Sequence, residues 1–167
     1  MKKVTAEKLT LNNFKAYGNF ISTLSPEGPK IGEEPIEFYR DMLQVRLGQS
    51  NTVSVSVCRV KKRKPIVDCV EYHNKTSEGF MPLDGDVLMH VLPATPVGEL
   101  DIKNIKAFIV PRGTLVNINA GVWHFAPYPI QDNYVNVLVM LPERTYANDC
   151  KVVTFDKDEL LFIEKPK

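Results

Sequence analysis

Three residue types are scarce in this chain: cysteine, histidine and tryptophan. Cys58, Cys69 and Cys150 are odd in number and form no Cys-x-x-Cys pair, which fits a reducing compartment better than a disulfide framework. An excess of one charge is missing as well. The formal net charge is +1, so no bulk field draws the chain to nucleic acid or to an anionic membrane. Long hydrophobic runs are absent: Val137 to Leu141 is the longest, far too short to span a bilayer. Lys2, Lys3, Thr5, Glu7 and Lys8 stand where a signal peptide would carry its apolar segment. There is no repeat of fixed length and no low-complexity tract. The expectation is a cytoplasmic protein with no nucleic-acid and no membrane partner.

What is present reads as one domain over residues 1–167, long enough for a full core and short for two. Thr5 to Phe20 is the best helical candidate, with Leu9, Leu11, Phe14 and Tyr17 roughly on one side and Gly18 placed to stop it. Pro26, Gly28, Pro29, Gly32 and Pro35 mark Ser25 to Pro35 as a loop or a lid. Lys61, Lys62, Arg63 and Lys64 form a dense basic run between two strand-like segments, read as a solvated turn.

Beyond the loop the chain becomes strand-like. In Thr52 to Val60, Val53, Val55, Val57 and Arg59 share one face. A guanidinium in line with three core-facing valines either escapes at the strand end or meets an anion inside. Ile66 to His73 follows, with Val67, Cys69, Glu71 and His73 on one face by period two. Val87–Leu92, 105–110, 115–118 and 134–141 come next at short spacings, separated by glycines and prolines. A strand at 151–155 and an apolar stretch at 160–163 that covers an edge or a dimer seam complete the tail. Many short strands with regular punctuation predict a mainly β sandwich or barrel with short helices.

Chemistry concentrates between Glu71 and Tyr128. The chain reads Glu71-x-His73-x4-Glu78-x6-Gly85, then Gly113-x5-Asn119-x-Gly121-x2-His124. If both blocks face one cavity, two imidazoles and two carboxylates meet there. Such groups are the usual ligands of Fe, Mn, Ni or Zn, and without a metal they can act as a general acid and base. His73, Glu78, His124 and Glu71 are therefore the candidate metal ligands, and His124, His73 and Glu71 the candidate catalytic groups. Tyr128 is placed at the pocket mouth and Trp123 in its wall, both toward substrate. His90 has no partner at ligand spacing and is assigned to the core.

The two blocks resemble the paired motifs of cupins, with Glu71 in place of the first histidine, Asn119 in place of proline and Tyr128 in place of asparagine. More specifically, Phe14-Lys15-Ala16-Tyr17-Gly18, Arg59, Glu71-Tyr72-His73, Phe80-Met81-Pro82-Leu83-Asp84-Gly85 and Gly121-Val122-Trp123-His124 resemble the ureidoglycolate lyase family, over about residues 9–150. Members often carry a second histidine after Trp-His, where this chain has Phe125. The resemblance implies a cupin-type double-stranded β-helix (a jelly-roll barrel), a homodimer, and cleavage of ureidoglycolate to glyoxylate and urea in allantoin breakdown, part of purine catabolism. It also implies a divalent metal such as Ni, Zn, Mn or Fe. On that reading Arg59 grips the substrate carboxylate, His124 is the base, and His73 and Glu71 donate, ligate or orient. The alternatives are another small-molecule cupin enzyme, a metal-dependent isomerase or oxygenase, and a non-catalytic cupin that binds a small acidic metabolite.

Overall fold

Alternation along the strands sorts side chains onto two faces, and two facing sheets bury the inner ones. The structure is a computed structural model that describes residues 1–166. One sheet has five antiparallel strands in the order Gly18–Ser22, Thr114–Ile118, Glu78–Pro82, Tyr134–Pro142 and Val53–Lys61. The other runs Lys151–Thr154, Cys69–Tyr72, Trp123–His124, Val87–Leu92, Lys106–Val110 and Glu7–Lys8, with Tyr128–Pro129 also paired to Val87–Leu92. The chain thus crosses repeatedly between the sheets, as from Cys69–Tyr72 to Glu78–Pro82 and back to Val87–Leu92, in the double-stranded β-helix expected. No helix among the described residues is long and apolar enough to cross a membrane.

The Val87–Leu92 strand shows how the layers divide, since all six of its residues are buried. Val87, Met89 and Val91 point into the barrel with Phe80, Val116 and Val137. Leu88 and Leu92 point the other way, into a second cluster with Trp123, Tyr128, Leu161 and Ile163. That cluster is roofed by a small sheet in which Leu161–Glu164 pairs with both Lys2–Thr5 and Ile66–Val67. The tail therefore covers a sheet face, close to the expected edge cover.

Three expectations about the first half need correction. The helix predicted over Thr5 to Phe20 is a single turn, Leu11–Phe14. Thr10 caps it, its hydroxyl accepting from Asn13 N while Asn13 Oδ1 accepts from Thr10 N. It ends early because the chain must run beside Thr114–Ile118: a Cβ at Gly18 would lie 1.8 Å from the Asn117 carbonyl oxygen. The helix still matters, for it carries Phe14 into the barrel edge-on against Phe108, centroids 5.4 Å apart. The valine face is the second correction. Val53, Val55 and Val57 are 45, 60 and 59 % exposed, and it is Cys58 and Val60 on the other face that turn inward. Hydrophobic alternation gave the right period and the wrong side. The strand predicted from Ile66 to His73 also breaks at Asp68, whose carbonyl accepts from Phe155 N, so Val67 and Glu71 serve different layers. In the Ser25 to Pro35 region Lys30–Ile31 pairs with Phe38–Tyr39, and none of these residues lines the barrel cavity.

His90 sits in the second layer, fully buried, with neither ring nitrogen at hydrogen-bonding geometry to a partner among the described residues. Burial, then the charge of His124, pull its pKa down to about 3, the nearby Cys69 backbone offsetting only part of this. The ring is therefore neutral when folded, while the unfolded chain binds a proton near 6.5. Stability is expected to fall as pH drops from 6.5 toward 3, with a slope from this residue of up to about 1.4 kcal/mol per pH unit. His90→Leu removes that slope and holds the thermal midpoint at pH 7. Thermal denaturation of both proteins between pH 4 and 7 measures it, and equal slopes would contradict the assignment.

Candidate metal and acid–base site

Three elements deliver the central residues. The turn after Cys69–Tyr72 carries His73, the strand Glu78–Pro82 starts with Glu78, and Trp123–His124 pairs with Cys69–Tyr72 so that His124 stands opposite Glu71. Gly121, with φ of +80°, makes the tight turn before it, and Gly121 N donates to the His73 carbonyl at 2.7 Å. The two sequence blocks thus share one cavity.

Backbone carbonyls orient both imidazoles. His73 Nδ1 lies 2.7 Å from the Asp149 carbonyl oxygen, and His124 Nδ1 lies 2.9 Å from that of Val122. A carbonyl can only accept, so both Nδ1 atoms carry the proton. Each Nε2 is then either a lone pair or the second N–H of an imidazolium. Both point at one atom, Glu78 Oε2, at 3.1 Å from His73 and 3.3 Å from His124. Side chains of the three groups are nearly or fully withdrawn from solvent. Asp149 itself is held in place, its carboxylate accepting from Asn74 N and Lys75 N.

Two lone pairs facing a carboxylate require a positive charge among them. Protons supply it in one state. Burial alone would raise the Glu78 pKa, but the His124 charge and hydrogen bonds with both imidazoles hold it at about 2. Burial would likewise lower His124, and the Glu78 charge and hydrogen bond outweigh it and raise the value. A divalent cation satisfies the same donors. Ligand atoms of Glu71, His73 and His124 lie within 4.8 Å of one another. Imidazole and carboxylate donors suit Mn, Fe, Ni or Zn, and Nδ1–H bonded to carbonyl is the usual outer support of a histidine ligand. The residues present fit such an ion.

Around this centre the cavity is lined by Phe80, Met89, Ile118, Phe125, Val137 and Val139. Among the described residues no lysine or arginine lines it. Arg59, expected to grip a carboxylate there, lies outside. Its Nε donates to Asn136 Oδ1 at 2.8 Å and its guanidinium covers the Tyr134 ring, on the outward face it shares with the three valines. Tyr128 and Trp123 are corrected too. The Tyr128 hydroxyl donates to the Ile66 carbonyl, and Trp123 Nε1 donates to Thr95 while its ring packs on Tyr72. Both belong to the second layer, because the residues next to an inward His124 and an inward Pro127 face away from the barrel.

Three residues near the centre escaped the sequence reading. Cys150, just past Asp149, donates its thiol to Glu71 Oε2 at 3.3 Å, and burial, then the Glu71 charge, push its pKa up to about 12. Cys58 lines the cavity from the far sheet, its thiol also raised by burial. Tyr146 lines the open side, its ring edge-on to His73 at 6.2 Å. Burial, then the charges of Glu78 and Glu71, push its phenol up to about 12. No spacing tied Tyr146 to the histidines; only the return of the chain through Asp149 does.

The family described as ureidoglycolate lyase matches residues 1–162. The ureidoglycolate lyase of Salmonella typhimurium is 26 % identical over 165 residues, covering 96 % of this chain and 99 % of that protein. That of Escherichia coli is 25 % identical over 162 residues, with the same coverage. Among solved structures, a dTDP sugar isomerase of Desulfovibrio desulfuricans is 15 % identical, covers 80 % of this chain and 85 % of its own, and superposes with a TM-score of 0.50. That likeness is one of fold alone.

The site predicts one divalent ion per chain. Calorimetric titration of chelator-treated protein with Ni²⁺ or Mn²⁺ is expected to show 1:1 binding. His73→Ala or His124→Ala weakens it by roughly tenfold or more, and Arg59→Ala leaves it unchanged. Undiminished binding in both histidine variants would contradict the assignment.

Proposed function

We propose that this chain, which belongs to the ureidoglycolate lyase family, acts as a cytoplasmic homodimer that splits ureidoglycolate into glyoxylate and urea. The observation that carries the reading is the convergence of His73 Nε2 and His124 Nε2 on Glu78, with Glu71 alongside. The reaction takes the proton from the carbinol hydroxyl, forms the aldehyde carbonyl as the carbon–nitrogen bond breaks, and returns a proton to the departing urea nitrogen.

In this reading His73, His124 and Glu78, with Glu71 at their side, hold a divalent ion. When bound, such an ion would hold the substrate carboxylate, polarise the carbinol oxygen and lower its pKa. The chain's own residues move the protons. His124 has Nδ1 engaged by Val122 and Nε2 by Glu78, so the role of base passes from it to Glu71. Glu71 is steadied by the Cys150 thiol rather than by an imidazole. Tyr146, kept protonated by its surroundings and standing on the open side, donates toward the urea nitrogen. The apolar walls, Phe125 among them, keep water from the forming aldehyde.

Purified protein loaded with its metal is expected to release glyoxylate from ureidoglycolate. Glu71→Gln lowers kcat by about 10²–10⁴, and Tyr146→Phe lowers kcat with little change in KM. Arg59→Ala leaves both constants as they are. A thermal shift with ureidoglycolate but no glyoxylate would contradict the lyase reading and point to a non-catalytic binder. Bound iron with oxygen uptake would instead indicate another cupin enzyme.

A further inference from the structure

Outside the barrel, between the outer face of Thr114–Ile118 and the segment 42–50, lies an open groove of about 800 Å³, against about 60 Å³ for the barrel cavity. Asn19, Gln44, Arg46, Lys75, Asn117 and Asn119 line it, and among the described residues no carboxylate does. Strand alternation separates it from the barrel: Ile118 faces in, Asn117 faces out.

Two features of the groove lack partners. Among the described residues, neither the Arg46 guanidinium nor the Lys75 ammonium takes part in an ion pair, so two cations face the same space uncompensated. Asn117 is only 5 % exposed, and while its Nδ2 donates to Asn19 Oδ1 at 3.0 Å, its Oδ1 has no partner among the described residues. A buried acceptor left open is uncommon enough to call for an explanation.

The groove wall is built rather than loose. Arg46 N donates to Ser77 Oγ at 2.7 Å, Ser77 N donates to the Arg46 carbonyl at 3.0 Å, and Thr76 Oγ1 donates to the same carbonyl at 2.6 Å. Thr76 and Ser77 are both buried. Gly48, with φ of +62°, packs so closely on the Lys75 carbonyl that a Cβ would lie 2.5 Å from it. The same segment runs straight into Glu78.

We propose that this groove is a second ligand site, for a small carboxylate that also carries an amide or ureido N–H. The carboxylate meets Arg46 and Lys75, and the N–H donates to Asn117 Oδ1. Two cations select the acid end, and a buried lone acceptor discriminates for a donor at the other. Because Arg46 is bonded to Ser77, occupancy bears on the strand that carries Glu78, and the site is distinct from the barrel centre.

The test uses N-carbamoylglycine and full-length protein with His124→Ala, whose barrel centre is disabled, so that turnover plays no part. Isothermal titration calorimetry is expected to show one site. Adding Arg46→Ala or Lys75→Ala weakens it by roughly tenfold or more. Both side chains are exposed, so these variants fold. Asn117→Leu is expected to erase the preference for N-carbamoylglycine over acetate, with circular dichroism confirming its fold. Binding that is absent, or that survives both cation variants, would overturn the proposal. Failure here leaves glyoxylate release by the wild type untouched, so the two readings fall separately.

Discussion

Two hydrogen bonds from imidazole Nδ1 to backbone carbonyls govern the site. They fix the tautomer of His73 and His124 and aim both Nε2 atoms at Glu78 Oε2. Without them the rings would be free to present N–H groups, and the carboxylate would be an ordinary buried anion with two donors. With them, the centre needs a positive charge, and its chemistry follows from what supplies that charge. The fold exists around this need: His73 and Glu78 flank one turn, while Gly121 brings His124 across to Glu71.

His90 is the useful contrast. It is as buried as the other two, yet no carboxylate answers it, and burial drives it toward neutrality. His124 is also buried but is raised, because Glu78 outweighs the loss of water. Burial alone would have given three similar core histidines. The placement of a single glutamate separates two functional rings from one structural ring.

Much of this was legible in the sequence because it depended on local spacing. Glu71 and His73 two apart, Glu78 after a short turn and His124 after glycine singled out the groups that would meet if the two blocks faced one cavity, and the short, punctuated strands pointed to a barrel. What failed depended on which side of a strand faces inward. Val53, Val55 and Val57 look like a core face, and in the structure they lie outside with Arg59, since the strand's other face completes the barrel. Tyr128 and Trp123 were misplaced for the same reason: a second apolar layer lies behind the barrel, so a buried aromatic beside the site need not face it. Tyr146 reaches the cavity, and Cys150 reaches Glu71, through a return of the chain that no motif announces. The helix over 5–20 lost to the need for Gly18 to approach Asn117.

The orientation of the two rings is open to direct measurement. Long-range ¹H–¹⁵N correlation spectra of histidine-labelled protein, assigned with His90→Leu, report the protonation of every ring nitrogen. For His73 and His124 the account predicts a protonated Nδ1 in both the metal-loaded and the metal-free protein. Their Nε2 is bound to the ion in the first and faces Glu78 Oε2 in the second. A neutral Nε2–H tautomer at either residue, with Nδ1 bare, would contradict it.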